Sequence, residues 1–467
     1  MRSHESNKSK IVKAGAGYTI GNYMIKGLTF FSIPIFSRLL TPSDYGIYNT
    51  YIAYEGILCM CVGLTLNTCQ KYAKNKYGNL YDEFVSSCTV LVLLSAMIWL
   101  VLINVFDKQI EKYTEFSRIV VNLLILHCTG SALLSIFNVY LSLSYSYKRY
   151  LILAGINTLL NIFLSVVLIT TVFDNQRALG RIAGTAIPIL LLAVYICYYF
   201  WNRCRPPLER KRIQPYWRFA LAYSVPLIPH GISQVLLSQF DRLMIKNVCG
   251  AAQAGIYSFG YNLYTIVAVT TSSLDNVWSP WFFEKAKEGK VELIRKRATQ
   301  YAILVGTFVS VIILISPELV ALLGTEAYSE AKHCVVPILV GGYFSYLYTL
   351  PVQVQYYRGK TKIIAAMTAA AAVLNILLNA LFIPLFGYVA AAYTTAIAYA
   401  LYFVFHAFMS TKTSREKYFD WGQLFLCICF CLTIAALSLF LMSYGIVRWV
   451  IALILSIFLI IYGKNKI

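Results

Sequence analysis

Lys26, Glu55, Asp241 and Arg242 are ionisable side chains set inside long apolar runs. At mid-depth in a bilayer each costs at least ~2.5 kcal/mol, so such groups face a partner or a cavity. Tyr18, Asn22 and Lys26 are spaced by four, which aligns them on one helix face. Tyr48, Tyr51 and Glu55, spaced by three and four, make a second stripe. A short polar turn joins the two runs, so Lys26 and Glu55 reach similar depth. There they either form an ion pair that locks two helices or give a cavity its charge.

A third stripe holds His230, Gln234 and Ser238, then Asp241 and Arg242. Just before it stands Pro226-Leu227-Ile228-Pro229-His230-Gly231. Two prolines three apart and a glycine break a helix and free backbone carbonyls, which reads as a hinge or as a static kink. Adjacent Asp241 and Arg242 point about 100° apart, so a local helix-end arrangement competes with a functional one. Further on, Tyr261, Thr265, Ser272, Asp275 and Ser279 share a face near Trp278-Ser279-Pro280-Trp281. The tryptophans read as interfacial belt residues and Asp275 as a solvated carboxylate. His127 and His406, single histidines in apolar spans, read as contacts between helices. No phosphate-binding loop, metal spacing or nucleophile arrangement occurs, so ATP hydrolysis and enzymatic chemistry have no support.

These residues must be positioned by membrane helices. The 467-residue chain is 59% hydrophobic with a mean hydropathy of +0.65, above the roughly 45–50% apolar content of soluble domains. Only 13% of residues are charged, yet the net charge is +20. The bases are scattered among apolar spans, which argues against a nucleic-acid partner and for a polytopic membrane protein. Most of the 12 cysteines lie within apolar runs, as small buried thiols do. Lys8, Lys10 and Lys13 precede a run too long for a signal peptide, so the first span is expected to stay as an anchor.

A helix needs about 20 apolar residues to cross the hydrocarbon core. On that ruler there are fourteen spans, at 11–37, 46–70, 84–106, 118–143, 150–173, 180–201, 217–245, 254–283, 298–323, 332–357, 361–385, 387–409, 421–443 and 446–463. With both termini cytoplasmic, 29 of the 40 Lys and Arg residues fall in cytoplasmic segments and nine in external loops, with Lys26 and Arg242 inside spans. The acids show no such bias, which is the positive-inside signature. External loops are too short for a folded domain. The linker Arg203-Cys204-Arg205-Pro206-Pro207-Leu208-Glu209-Arg210-Lys211-Arg212 is expected to lie on anionic headgroups.

The chain also repeats itself. Gly46-Ile47-Tyr48 returns as Gly255-Ile256-Tyr257, offset by 209 residues. Leu160-Asn161 returns as Leu374-Asn375, offset by 214, and the stretch from Gly180 returns from Gly387, offset by 207. Three echoes in one order mark two related halves. The expected fold is an all-α polytopic membrane protein of about 14 transmembrane helices, with two parallel pseudo-symmetric six-helix lobes and two appended helices. Its divisions are an N-terminal lobe at 1–202, a basic cytoplasmic linker at 203–216, a C-terminal lobe at 217–410, and appended helices at 411–467. Repeats of this kind are a hallmark of secondary transporters, whose site lies at the repeat interface.

The turn Arg38-Leu39-Leu40-Thr41-Pro42-Ser43-Asp44-Tyr45-Gly46 resembles the R-L-L-x-P-x-x-Y-G motif of bacterial polysaccharide flippases. These are the Wzx-type O-antigen transporters of the multidrug/oligosaccharidyl-lipid/polysaccharide exporter superfamily. Pro226-Leu227-Ile228-Pro229 with Asp241-Arg242, then Gly255-Ile256-Tyr257 and Trp278-Ser279-Pro280, resemble their seventh and eighth helices. Arg358-Gly359-Lys360-Thr361-Lys362 with Leu374-Asn375 and Gly387 is similar to helices 10 to 12.

The resemblance implies a flippase moving undecaprenyl-diphosphate-linked oligosaccharide, an O-antigen or capsule repeat unit, between leaflets of the bacterial cytoplasmic (inner) membrane by alternating access. In that reading Lys26, Arg242 and Arg38 contact the diphosphate and Glu55 and Asp241 serve ion coupling. Pro226, Pro229 and Gly231 form the hinge. No cofactor is expected beyond an H+ or Na+ coupling ion. The partners are the lipid-linked oligosaccharide and membrane lipids, with a polysaccharide polymerase and a chain-length regulator as candidates. A multidrug exporter and a lipid-II-type exporter of the same superfamily are the nearest rivals. A membrane polysaccharide polymerase would need a large external catalytic loop, which this chain lacks.

Overall fold

The computed structural model describes residue 21, residues 23–207 and residues 209–466. All regular elements among them are helices. They are α1 (23–31), α2 (Ile33–Leu39), α3 (Pro42–Val62), α4 (Gln70–Tyr77), α5 (Tyr81–Val105), α6 (Asp107–Thr114) and α7 (Arg118–Leu143). There follow α8 (Tyr147–Val167), α9 (Arg177–Arg203), α10 (Arg210–Ser224), α11 (Ile228–Cys249), α12 (Ala251–Tyr261), α13 (Tyr264–Lys287) and α14 (Val291–Leu323). The chain ends in α15 (Lys332–Leu347), α16 (Thr349–Tyr357), α17 (Thr361–Phe386), α18 (Val389–Thr413), α19 (Trp421–Phe440) and α20 (Gly445–Lys466).

Eleven candidate spans are long and apolar enough to cross a membrane, against the fourteen expected. Part of the first expected span lies outside the described residues. The second is α3, whose polar stripe lowers its hydropathy, and the eighth is split into α12 and α13 at Asn262–Leu263. With spans of this number and kind, the chain is a multi-pass membrane protein.

The described residues pack as two units, and the division falls inside α3 and α11. One unit takes the described residues up to Ser32 and residues Thr50–Val235; the other takes Ile33–Asn49 and Leu236 onward. In the first, Phe84, Phe137 and Phe200 from α5, α7 and α9 are fully buried, with the Phe137 and Phe200 rings 5.7 Å apart edge to face. Tyr216 of α10 joins them, its ring 5.8 Å from that of Phe84. In the second, α15 is buried all round, from Cys334 to Phe344, as expected for a helix that is apolar on every face. Gly341 lets α18 come close: a Cβ there would sit 3.3 Å from the Cα of Ala396.

The internal repeat is visible in hydrogen bonds within each unit. Between α8 and α9, Arg181 Nη1 donates to Asn161 Oδ1 at 2.6 Å. Between α17 and α18, Asn375 Nδ2 donates to Thr395 Oγ1 at 3.1 Å. Both partners of the second pair stand 214 residues after those of the first, so the two halves keep the same helix-pair register. Thr395 takes the place of Arg181, and the half-buried cation of one half becomes a neutral hydroxyl in the other.

Candidate functional site

Three groups of polar residues lie inside the membrane helices, two in the first unit and one in the second. On α3, Tyr51 and Glu55 stand one turn apart and face His127 and Ser131, one turn apart on α7. Tyr51 Oη lies 3.2 Å from His127 Nδ1, with the two rings stacked at 5.8 Å. Glu55 meets Ser131 through its side chain and accepts at its backbone oxygen from Cys128 Sγ at 3.6 Å. Lys26, its partner in one of the two readings, belongs to the same unit but is exposed on α1, and no Lys26–Glu55 ion pair forms among the described residues. Matching depth did not fix rotation about the helix axis: α3 turns its stripe to α7. Tyr18 and Asn22, which share the Lys26 stripe, lie outside the described residues.

The second group sits where the prolines break the seventh span. Helix α10 stops at Ser224, a single 3-10 turn covers Val225–Leu227, and α11 starts at Ile228. Ile228 N–H turns to Val225 O, which leaves the Ser224 carbonyl without its α-helical donor. Thr65 Oγ1 supplies one at 2.8 Å. Thr65 and its neighbour Leu64 hold φ values of 48° and 51°, a left-handed pair without glycine that ends α3. Such strain persists where surrounding contacts over-determine it. A cavity of about 280 Å³ opens beside the break, lined by Met60, Thr65, Asn67, Ser135, Leu227 and His230. His230 Nδ1 is buried with no partner among the described residues, and a Cβ on Gly231 would meet Met60 Sδ at 3.1 Å.

In the second unit, Asp241 and Arg242 are held by α12. The Tyr257 hydroxyl donates to Asp241, whose other oxygen accepts from Arg242 N–H at 2.9 Å. The Arg242 guanidinium donates to Ser238 O at 2.9 Å and lies over the Tyr261 ring, 4.5 Å from its centre. Asp241 is 1% and Arg242 8% exposed, so this charge pair is settled by protein groups on several sides. Arg38 is exposed on α2 and folds back to donate to Pro34 O at 2.8 Å. Lys26 stands in the first unit, Arg38 and Arg242 in the second.

One further buried cation is not among the residues singled out from the sequence. Arg448, at the start of α20, is 3% exposed and forks onto Glu318 of α14 at 2.6 and 2.9 Å. It also donates to the carbonyls of Leu314 and Leu441. The available signal was Glu318 near the end of an apolar run, the one acid there able to match it.

The sequence pattern of the polysaccharide biosynthesis protein family matches residues 11–286, more than half of the chain. The chain belongs to the polysaccharide biosynthesis protein family. The matched region holds Lys26, Arg38, Glu55, Asp241, Arg242 and the proline break, while the Arg448–Glu318 clamp lies beyond it. A Haemophilus influenzae protein called Lsg locus putative protein 1 is 24% identical over 79% of this chain and 90% of its own. A probable low-salt glycan biosynthesis flippase of Haloferax volcanii is 21% identical over 87% of this chain and 85% of its own. Among solved structures, the lipid II flippase MurJ in an inward closed conformation shares the fold at a TM-score of 0.73. It is 14% identical, and the likeness covers 96% of this chain and 98% of that one. An inward-facing multidrug resistance MATE family transporter of the MOP superfamily gives 0.67 at 13% identity, over 84% of this chain and 96% of its own. The family member described here thus carries the all-α fold of MurJ and MATE proteins.

Proposed function

We propose that the protein is a flippase that carries undecaprenyl-diphosphate-linked oligosaccharide, an O-antigen or capsule repeat unit, from the cytoplasmic to the periplasmic leaflet by alternating access. One observation carries the reading: a chain of the polysaccharide biosynthesis family shares, over nearly its whole length, the fold of a lipid II flippase. A sugar diphosphate headgroup cannot cross hydrocarbon unaided, so export of such units requires a polar route through protein. The repeat at offsets of 209 and 214 residues supports alternating access, since internal repeats are a hallmark of secondary transporters. In this reading Lys26 is the accessible cation for the diphosphate, with Arg38 and Arg242 as further contacts. Glu55, half-buried against α7 and in no ion pair among the described residues, takes the coupling ion, H+ or Na+, with Asp241 as the second candidate. The break at Pro226, Pro229 and Gly231 is the hinge. The protein sits in the bacterial cytoplasmic membrane with both termini cytoplasmic, next to a polymerase and a chain-length regulator.

A second reading has its own support. The TM-score is higher for the lipid II flippase than for the MATE transporter, and that likeness covers 96% of this chain against 84%. Lipid II is therefore the alternative cargo. Deletion in the native host separates the two: loss of surface polysaccharide with normal cell-wall synthesis supports the first, and loss of viability with cytoplasmic lipid II accumulation supports the second.

A further inference from the structure

The tenth span is broken in two at Tyr348, and its second half, α16, is a buried nine-residue helix carrying two glutamines. Gln353 is 4% and Gln355 0% exposed. On one side, Gln353 Nε2 points to Asp275 Oδ1 of α13 at 3.4 Å, while its Oε1 accepts from Ser279 Oγ at 3.0 Å. Thr349 also borders the Asp275 carboxyl. On the other side, Gln355 Oε1 lies 2.9 Å from His406 Nδ1, and Gln355 Nε2 donates to His406 O at 3.2 Å. His406 is fully buried, and its Nε2 has no partner among the described residues.

The charge balance around Asp275 is one-sided. Asp241 has Arg242 and Glu318 has Arg448, but Asp275 forms no ion pair among the described residues. The titratable groups near it are tyrosines: Tyr346 of α15, Tyr348 at the break and Tyr356 of α16. Tyr348 packs 4.5 Å from Tyr402 of α18 and 5.7 Å from His406. Tyr402 in turn bonds Thr368 of α17 at 2.7 Å. The cation on this segment, Arg358, stands past the far end of α16 and donates to Ser414. A carboxylate among neutral donors and phenols, with no counter-ion, is the chemistry of a group that is neutralised by a proton.

We infer that Asp275 is a proton-binding site of the second unit and that α16 registers its charge. Ionised, Asp275 accepts from Gln353 N–H. When a proton from the aqueous phase settles on its oxygen, the carboxyl becomes a donor, and Gln353 Oε1, now taken by Ser279, is its acceptor. The amide turns over to accept it, Gln353 Nε2 then donates to Ser279 Oγ, and the proton returns to water when the exchange reverses. The break at Tyr348 frees α16 to follow without moving α15, while the Gln355–His406 pair holds its other face. This inference needs no substrate and stands apart from the flippase reading.

Trp278, three residues after Asp275, is buried and packs on Trp281 at 5.5 Å, so it reports the site. The test is tryptophan emission of the purified full-length protein against pH, at fixed salt. The expected result is a one-proton transition, 10–90% complete over about two pH units, present in the wild type and in Glu55→Gln. It is lost in Asp275→Asn and displaced in Asp275→Glu. If Asp275→Asn does not elute as a single species, the Asp275→Glu midpoint decides. A transition that survives Asp275→Asn, an unmoved midpoint in Asp275→Glu, or loss in His406→Gln with Asp275 intact overturns the assignment. So does a transition driven by Na+ at constant pH.

Discussion

Gly46 and Gly255 pack against each other's helices in a reciprocal contact. A Cβ on Gly46 would lie 1.8 Å from the Ala251 carbonyl oxygen, and a Cβ on Gly255 would lie 1.8 Å from that of Pro42. All four residues belong to the same unit, and each partner is displaced by the same 209 residues. The repeated turn therefore packs against its own copy, with the start of α3 crossing the start of α12. The obstacle on each side is backbone, which no rotamer change can move.

Gly46→Ala and Gly255→Ala are therefore expected to be about equally harmful. Overpacking against fixed atoms costs about 1–3 kcal/mol, and a backbone clash falls at the upper end. Thermal unfolding in detergent should show similar losses in apparent Tm for both variants, while Gly155→Ala, with open space at its Cβ, should change little. A harmless Gly46→Ala would contradict the close crossing.

The Thr65–Ser224 bond fastens the end of α3 to the proline break. Thr65→Val keeps the shape and strands the Ser224 carbonyl, at a cost of about 1–3 kcal/mol. Thr65→Ser should restore most of the loss. Apparent Tm and expression level of the three proteins check this, and equal values for Val and Thr would show the bond to be dispensable.

Arg448 ties the appended helices to α14. Breaking a buried pair costs about 3–5 kcal/mol when the surviving charge is stranded. Glu318 is 36% exposed, so water relieves it and the lower end applies. Arg448→Ala also leaves the Leu314 and Leu441 carbonyls short of a donor, so it should be worse than Glu318→Gln. Limited proteolysis between α18 and α20 should report release of the last two helices in Arg448→Ala alone.

Glu55→Gln preserves size and removes charge. If Glu55 takes the coupling ion, this variant should fold and reach the membrane at wild-type levels yet lose at least tenfold in surface polysaccharide. Lys26→Ala should lose polymer similarly, and Lys26→Arg should retain it. Wild-type polymer in both Lys26→Ala and Arg242→Ala would remove these cations from the diphosphate assignment.

Much of this was legible in the residues. Pro226 and Pro229 announced a break, and the structure has one, because proline removes the donor that α-helix continuity requires. The echo of Gly46 in Gly255 announced a repeat, but not that the two copies would touch, which is a matter of tertiary packing. The breaks at Asn262–Leu263 and Tyr348 lie inside apolar runs, so hydropathy ran straight across them, although Pro351, one turn past Tyr348, was a signal for the second. The Lys26–Glu55 pairing failed because sequence spacing gives depth and a face, whereas the azimuth of α3 is set by His127 and Ser131 on α7. Arg448 was hidden by position: two or three residues from a predicted helix end, a cation looks solvated.

The central claim is tested most directly by clean deletion of the gene in its native host, followed by measurement of surface polysaccharide and of the leaflet holding lipid-linked oligosaccharide. The account predicts loss of surface polymer with single repeat units accumulating on the cytoplasmic leaflet, both reversed by the wild-type gene. Repeat units that reach the periplasmic leaflet at the normal rate in the deletion strain would contradict it.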